Sequence, residues 1–218
     1  MQIRSDYAER ALVRPGDEDF VPSPLPGVER LMLDREGGEV ARATSIVRYA
    51  PGSRFSAHTH DLGEEFLVLE GTFGDERGVY PAGTYVRNPP GSSHAPWSDE
   101  GCMLFVKLRQ FDPDDLERKV IDTRAAPWRP GLVDGLTVMP LHEFGTEHVA
   151  LVHWAPGTVF KPHTHFGGEE ILVLEGTFED EHGAYPAGSW LRSPSMSQHR
   201  PFTRHGCTIY VKVGHLPG

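Results

Sequence analysis

The sequence lacks several features, and each absence argues against a class of protein. Its 218 residues include only two cysteines, Cys102 and Cys207, whose separation fits neither a zinc finger nor a redox pair. No apolar run approaches the roughly 18 residues of a transmembrane helix. Residues 1–13 lack the apolar centre of a secretory signal, so we expect a cytoplasmic protein with no membrane partner.

Basic side chains are also in deficit. The chain carries 21 lysines and arginines against 31 aspartates and glutamates, a formal net charge of −10. A field of that sign repels phosphate backbones, so no nucleic-acid partner is expected. Helix signals are scarce as well, because 24 glycines and 19 prolines are dispersed along the chain. Only residues 113–119 could form a helical turn.

What the sequence does contain is an internal repeat. With an offset of 105, residues 50–107 align with residues 155–212 without a gap, and 33 of these 58 pairs are identical. Such identity indicates a tandem duplication of a unit the size of a small domain. Weaker upstream matches keep the same offset, Val28 with Val133 and Leu31 with Leu136. A polar stretch around residues 111–129 is the expected linker, so we predict two domains, 1–110 and 111–218.

Each copy has the pattern of short strands. Residues 66–69 form an apolar run that we expect to end at Glu70 and Gly71, and further strands are predicted at 84–87 and 103–108. Turn residues recur at a spacing near ten, which favours an all-β barrel or sandwich. Two copies therefore predict an all-β chain of two barrels.

Six of the twelve histidines occupy duplicated positions, together with one glutamate per copy. The two sets are His58, His60, Glu64 and His94, and His163, His165, Glu169 and His199. Residues i and i+2 of a strand share a face, so each H-x-H pair delivers two imidazoles to one side. Three imidazoles and a carboxylate suit divalent Fe, Mn, Ni, Co or Zn without selecting one. We predict one divalent metal ion per barrel, two per chain.

Some residues near these sets have two readings. Glu65 or Glu170 could ligate in place of its neighbour, although the spacing favours Glu64 and Glu169. The two cysteines pack as small hydrophobes or serve as metal-tuned, redox-sensing thiols. Arg87 and Arg192 could orient an anionic ligand or form ion pairs. Candidate pocket walls, with core packing as the alternative, are Phe55, Phe66, Tyr85, Trp97 and Phe105, and Phe160, Ile171, Trp190, Phe202 and Tyr210.

The spacing of these residues resembles the two cupin motifs. Gly52-x5-His58-x-His60-x3-Glu64-x6-Gly71 is similar to the first, and Gly83-x5-Pro89-x-Gly91-x2-His94 to the second. The second copy repeats both, from Gly157 to Gly176 and from Gly188 to His199, but Met196 stands where glycine is expected. Ser98 and Thr203 replace the usual trailing asparagine. The resemblance implies two jelly-roll barrels of the double-stranded β-helix type, a bicupin.

Within the cupins, the wording H-T-H-x3-E-E-x-L-V-L-E-G-T-F-x-D-E-x-G-x-Y-P-A-G resembles the cupin domain of ChrR-type anti-sigma factors. That resemblance implies a metal such as zinc held by the three histidines and one glutamate of each copy, and a role in the oxidative-stress response to singlet oxygen. ChrR proteins also carry an N-terminal zinc-bound helical domain that grips the sigma factor. Because no cysteine precedes Cys102, we expect that half to be missing here.

Two functions remain open from the sequence. The first is a small-molecule or oxidative-stress sensing or regulatory module, with an extracytoplasmic-function sigma factor as a candidate partner. The second, implied by similar cupins, is a non-haem Fe(II) dioxygenase that cleaves a diketone or hydroxyacetophenone-like substrate. A metal-dependent isomerase and a seed-storage-like protein with degenerate sites are weaker alternatives, the latter because the ligand sets are intact. A homodimer formed through sheet edges is also a candidate assembly.

Overall fold

The structure is a computed structural model that describes residues 1–216. Its regular elements over that range are all β-strands, which confirms the predicted all-β class. The segment 113–119 contains no helix; Asp115 N–H donates to the Asp112 carbonyl in a tight turn instead. In the described part of the chain, no helix has the length and apolarity needed to cross a bilayer.

The chain forms two compact units, and strands are numbered along the whole chain. The first unit comprises residues 1–5 and 19–126. Its strands are β1 (Gln2–Ile3), β3 (Val21–Pro22), β4 (Val28–Gly37), β5 (Ala41–Tyr49), β6 (Ser53–Arg54), β7 (His58–His60), β8 (Glu64–Asp75), β9 (Gly78–Pro81), β10 (Thr84–Asn88), β11 (Ser92–His94), β12 (Trp97–Ser98), β13 (Cys102–Leu108) and β14 (Lys119–Asp122).

The second unit comprises residues 6–18 and 127–218, of which 217 and 218 lie outside the described residues. Its strands are β2 (Ala11–Val13), β15 (Arg129–Pro130), β16 (Leu136–Phe144), β17 (Glu147–Trp154), β18 (His163–Thr164), β19 (Glu169–Asp180), β20 (Gly183–Pro186), β21 (Trp190–Ser193), β22 (Gln198–His199) and β23 (Cys207–Val213).

One topology is used twice. The main sheet of the first unit runs β1–β4–β5–β13–β8–β10–β14, and that of the second runs β15–β16–β17–β23–β19–β21–β2. In each unit the strand that begins with H-x-H pairs separately with the strand that carries the third histidine, β7 with β11 and β18 with β22. The duplication inferred from the repeat therefore extends to the order of the strands.

Strand pairing adds detail to the division of the chain. β14 lies beyond residue 110 and pairs with β10 of the first unit, while β2 lies near the N-terminus and pairs with β21 of the second. Each main sheet thus recruits a strand from outside its own repeat. The domain boundary between residues 110 and 111, which the polar composition of the following stretch indicates, stays a prediction.

The long strand β8 continues past the glycine that follows its apolar run. Gly71 has φ +69, and a Cβ there would lie 2.1 Å from the Gly101 carbonyl oxygen. Before this point β8 pairs with β10 and β13, and after it with β9 and β12. The strand changes partners rather than ending, so the predicted stop at Glu70 and Gly71 is wrong.

Alternation along β8 sets which side chains face the barrel interior. Phe66 and Val68 belong to the apolar cluster that also holds Leu104 and Val106. Because side chains alternate, Glu64 shares their face and Glu65 takes the other. The first glutamate is thereby aimed at the interior of the barrel, at the end of its hydrophobic core.

The strands before the repeat align differently from the sequence prediction. Val28 pairs with Tyr49 in the first unit, and Leu136 pairs with Trp154 in the second. Tyr49 and Trp154 are repeat equivalents, so the partner of Val28 is Leu136, 108 positions later, and not Val133. The predicted matches of Val28 and Leu31 at offset 105 are wrong, because the second unit has three fewer residues between this strand and the repeat than the first.

The turn before the third histidine has the same shape in both units. Gly91 has φ +79 and its N–H donates to the His60 carbonyl; Met196 has φ +66 and donates to the His165 carbonyl. Left-handed backbone costs a residue with a Cβ about 1–2 kcal/mol. The Met196 side chain is 62% exposed, so little packing offsets that cost.

We expect Met196→Gly to raise the free energy of unfolding by up to about 1 kcal/mol. Relief of the left-handed strain exceeds the extra chain entropy that glycine brings to the unfolded state. The reciprocal control, Gly91→Met, should lower it by up to about 1 kcal/mol, since a Cβ at Gly91 meets nothing within 4 Å and the same two effects act with opposite sign. Urea denaturation of the full chain measures both, and a destabilised Met196→Gly variant would contradict the expectation.

Candidate metal centres

The first cluster is assembled by one strand pair and the start of a third strand. β7 places His58 and His60 two residues apart on one face, and β11 sets His94 directly across from His58. His60 Nε2 and His94 Nε2 are 3.0 Å apart. The Glu64 carboxylate, at the first position of β8, lies 3.5 Å from His60 Nε2 and 3.6 Å from His94 Nε2. All four residues singled out in the first copy are brought together.

The second cluster repeats this arrangement. Cross-strand pairing sets His163 opposite His199, and the Nε2 atoms of His163 and His165 are 3.0 Å apart. Glu169 Oε2 lies 3.6 Å from both His165 Nε2 and His199 Nε2. The four ligating atoms lie within 4.8 Å of one another. In the first cluster that limit is met by the three histidines, and Glu64 joins through its two short contacts.

The outer ring nitrogens are held by oxygen atoms. His58 Nδ1 is 3.1 Å from the Ser56 carbonyl, and His163 Nδ1 is 3.2 Å from the Lys161 carbonyl. A carbonyl oxygen only accepts, so in these two rings the proton is on Nδ1 and Nε2 keeps its lone pair. The third histidines use a carboxylate instead: His94 Nδ1 lies 3.3 Å from Asp75, and His199 Nδ1 lies 3.5 Å from Asp180.

This arrangement fits a divalent cation. Lone pairs of several imidazoles and a carboxylate converge on one point, where they repel one another unless a positive charge lies between them. His199 Nε2 is buried and has no hydrogen-bond partner. An orphaned buried acceptor is rare in folded proteins, and a cation bound by this cluster would satisfy it. Outer hydrogen bonds that fix the tautomer are the usual companions of metal-bound histidine.

The pKa values in the second cluster follow from burial. Desolvation, with His199 and His163 nearby, lowers the pKa of His165 to about 3. Desolvation also raises the pKa of Glu169 to about 7, against the opposing effect of His199. A neutral imidazole is the form that binds a cation, and the buried carboxylate gains a counter-charge when one binds.

Asp75 and Asp180 are functional residues that the sequence analysis missed. Tyr80 donates to Asp75 at 2.9 Å, and Tyr185 donates to Asp180 at 2.7 Å. Burial opposes ionisation of Asp180, but the hydrogen bonds from His199 and Tyr185 outweigh it and lower its pKa to about 2. The repetition of this acid in both copies was the available signal.

Asn88 is a second omission. Its Nδ2 donates to Glu64 Oε2 at 3.0 Å, which orients the carboxylate in the first cluster. Asn88 is paired with Glu64 across β10 and β8, and the same position opposite Glu169 is occupied by Ser193. The two clusters therefore share their ring donors but differ in how the carboxylate is supported.

The neighbouring glutamates point away from the clusters. Glu65 accepts from Tyr85 at 3.0 Å and from Arg87 at 2.9 Å. Glu170 accepts from the Trp190 indole at 2.7 Å. The alternation along each strand thus leaves Glu64 and Glu169 as the inward-facing carboxylates.

Neither arginine considered as a ligand-orienting group lines a metal cavity. Arg87 is buried, ion-paired with Glu65, and lies over the Phe111 ring at 4.0 Å. Arg192 lies over the Tyr7 ring at 4.5 Å. For Arg87 the ion-pair reading is the one that the contacts support.

The cysteines behave as small hydrophobic groups. Cys102 and Cys207 are free and buried, each within the apolar cluster of its own unit. Desolvation raises their thiol pKa values to about 11 and about 12 respectively. Thiols held protonated in this way are poor nucleophiles, which argues against a redox-sensing role.

Each cluster opens into a cavity of its own unit. The cavity of the first cluster, of about 410 Å³, is lined by His58, His60 and Glu64. The second cluster borders a cavity of about 390 Å³, lined by His163, Glu169 and His199, and another of about 570 Å³, lined by His163, His165 and Glu169. Of the predicted wall residues, Phe55, Phe160 and Ile171 line these cavities. The others do not; Tyr85 and Trp190, for example, point to the outer glutamates. Tyr49 and Trp154 line the cavities and were not predicted.

Comparison with known families gives one match, found in both halves of the chain. The sequence profile of the family described as ChrR cupin-like domain matches residues 8–112 and residues 116–217. A comparison with curated proteins finds no match.

Solved structures share the fold at low sequence identity. A "putative dioxygenase" of Nostoc punctiforme has a TM-score of 0.75 and 16% identity over 98% of this chain and 81% of its own. A glyoxylate-induced protein of Pseudomonas aeruginosa, also named as putative, has a TM-score of 0.74 and 15% identity over 97% and 90%. A Bacillus subtilis oxalate decarboxylase variant has a TM-score of 0.61 and 14% identity over 94% and 76%. These likenesses show two tandem cupin barrels, as predicted.

We expect Asp180→Asn to weaken metal binding in the second cluster by about 10–100-fold, the usual cost of losing an outer partner of a ligating histidine. The amide cannot hold His199 Nδ1–H with the same charge assistance. Glu175→Gln is the matched control, because it removes one negative charge from an exposed position of the same strand. Competition with a chromophoric chelator measures the affinities. Equal affinities in the two variants would show that Asp180 has no role in the site.

Proposed function

Because the chain belongs to the ChrR cupin-like domain family, we propose that each barrel holds one divalent metal ion through three imidazoles and one carboxylate. The ligands are His58, His60, Glu64 and His94 in the first barrel and His163, His165, Glu169 and His199 in the second. The observation that carries this proposal is that Nε2 lone pairs converge in each cluster, on rings whose Nδ1 atoms are hydrogen-bonded to oxygen atoms outside it.

The residues of the chain prepare each centre for a small ligand. When bound, the ion supplies Lewis acidity and a template for an oxygen-bearing molecule. Asp75 and Asp180 keep His94 and His199 in the ligating tautomer, and Asn88 keeps Glu64 turned inward. The hydrocarbon side chains that line the cavity of about 390 Å³ in the second barrel lower the local dielectric beside the donors, which strengthens polar contacts made there.

From these features we infer a metal-dependent module that binds a small molecule and passes its presence to a partner. The family name, with its link to ChrR, favours a sensing or regulatory role, including the response to oxidants, and an extracytoplasmic-function sigma factor is the partner to test. Zinc is the metal that this reading favours, because a stoichiometric sensor needs no redox change at the ion.

A non-haem Fe(II) dioxygenase is the second candidate. Support comes from the cavity of the second barrel, where His163, Glu169 and His199 adjoin a wall of hydrocarbon side chains. A dry cavity beside an open metal position suits a diketone or hydroxyacetophenone-like substrate that chelates through two oxygens. The chain then contributes substrate orientation and exclusion of water.

Metal analysis of the purified chain tests the ligand assignment. We expect two ions per chain in the wild type and one in each of His58→Ala and His163→Ala, since each substitution removes a ligand from one centre only. His205→Ala, an exposed histidine outside both clusters, should retain two. Inductively coupled plasma mass spectrometry gives the counts. Unchanged stoichiometry in both cluster variants would end the assignment.

Oxygen consumption separates the two candidate functions. The module reading predicts no consumption above background when the iron-loaded chain meets a 1,3-diketone in air. The dioxygenase reading predicts stoichiometric consumption that His163→Ala abolishes and His205→Ala leaves intact. An oxygen electrode decides between them, and recovery of a sigma factor with the zinc-loaded chain would identify the module's partner.

A further inference from the structure

The cavity of the second barrel has a wall of hydrocarbon. Leu136, Val138, Val152, Ile209 and Val211 line it, with the Trp154 ring beside them. Apart from the metal-facing donors, the one charged residue among its lining residues is Lys161. The part of a ligand that lies in this cavity of about 390 Å³ therefore contacts almost only aliphatic and aromatic carbon.

The cavity of the first barrel has a similar size and a different surface. Its lining includes Arg30 and Glu39, whose Nη1 and Oε2 atoms are 3.1 Å apart, and Arg109 and Asp61, at 3.5 Å. These two ion pairs place charge in the lining of the cavity that also holds His58 and Glu64. Hydrocarbon that entered here would desolvate charged groups without offering them hydrogen bonds, which is unfavourable.

One pair of equivalent positions accounts for much of this difference. Arg30 pairs with Val47 across β4 and β5, and Val138 pairs with Val152 across β16 and β17. Val47 and Val152 are repeat equivalents, so a guanidinium in the first barrel takes the place of an isopropyl group in the second. The Arg30 side chain is 17% exposed, and its Nε is buried without a hydrogen-bond partner. The charge is therefore part of the cavity wall.

We propose that the two metal centres serve different ligands. The second takes a molecule with an oxygen-bearing, metal-binding head and a largely hydrocarbon body, whereas the first, of similar volume, favours a molecule with such a head and a more polar body. Val138 and Arg30 are the specificity-determining residues. This inference rests on the proposed function, because it requires an ion in each barrel.

Two bidentate oxygen ligands with different bodies test it. 1-Phenylbutane-1,3-dione and malonate both chelate through two oxygens, and only the diketone carries a phenyl ring. Zinc-loaded His58→Ala presents the second centre alone, and zinc-loaded His163→Ala presents the first alone. By calorimetry we expect the diketone to bind His58→Ala at least tenfold more tightly than His163→Ala, and malonate to show no preference for His58→Ala.

The wall residues are then exchanged in these backgrounds. Val138→Arg in His58→Ala should weaken diketone binding at least tenfold, and Arg30→Val in His163→Ala should strengthen it at least threefold. The second change removes a charge and adds no volume, so it tests the inference even if Val138→Arg disturbs folding. Zinc content must stay at one per chain in every comparison.

The outcomes distinguish a failure of metal binding from a failure of the division of ligands. Zinc below one per chain in the single-centre variants would overturn the proposed metal binding itself. Zinc at one per chain with equal diketone affinity at both centres would overturn only the division of ligands. If Val138→Arg and Arg30→Val abolish the preference of the diketone for the second centre, the division of ligands is supported. If the preference is unchanged, the role given to Arg30 and Val138 is refuted.

Discussion

Mutual repulsion among buried electron pairs is the constraint on which both barrels depend. Each cluster gathers imidazole Nε2 atoms about 3 Å apart beside a buried carboxylate, and the two rings whose Nδ1 atoms donate to a backbone carbonyl, His58 and His163, keep a lone pair on Nε2. Such a group of donors is costly to hold together unless a cation occupies its centre. The barrel has to supply enough rigidity to keep the donors in place, and its hydrophobic cluster lies directly beside them.

One long strand in each barrel meets this requirement. β8 begins with Glu64, which faces the cluster, and ends with Asp75, which holds the outer nitrogen of His94. Between them, Gly71 allows the strand to exchange one set of partners for another, so that both ends reach the same histidine-bearing region. β19 repeats the device with Glu169, Gly176 and Asp180. Ligand and outer partner are thus fixed by a single element, which limits their independent motion.

The ligand sets could be predicted because their signals are local. An H-x-H pair fixes two side chains on one face, and exact repetition of the pattern makes coincidence improbable. The roles of Asp75 and Asn88 were not predicted, because both residues contact their partners across strands and spacing in the sequence does not show which strands pair. The equivalence of Val28 and Leu136 was missed for the same reason, since only their pairing with Tyr49 and Trp154 reveals that the second unit is three residues shorter here. The sequence left two roles open for Arg87, because its burial against Glu65 arises from tertiary packing.

Duplication also explains why the two centres can differ while their donors stay the same. A substitution in a donor removes an ion and leaves a buried, uncompensated group, so its cost is high. A substitution in the cavity wall changes only what fits beside the ion. The positions that differ between the units follow this division: Asn88 against Ser193 behind the carboxylate, Tyr49 against Trp154 and Arg30 against Val138 in the wall. Because each barrel builds its cluster and cavity from its own residues, one wall can change without disturbing the donors of the other.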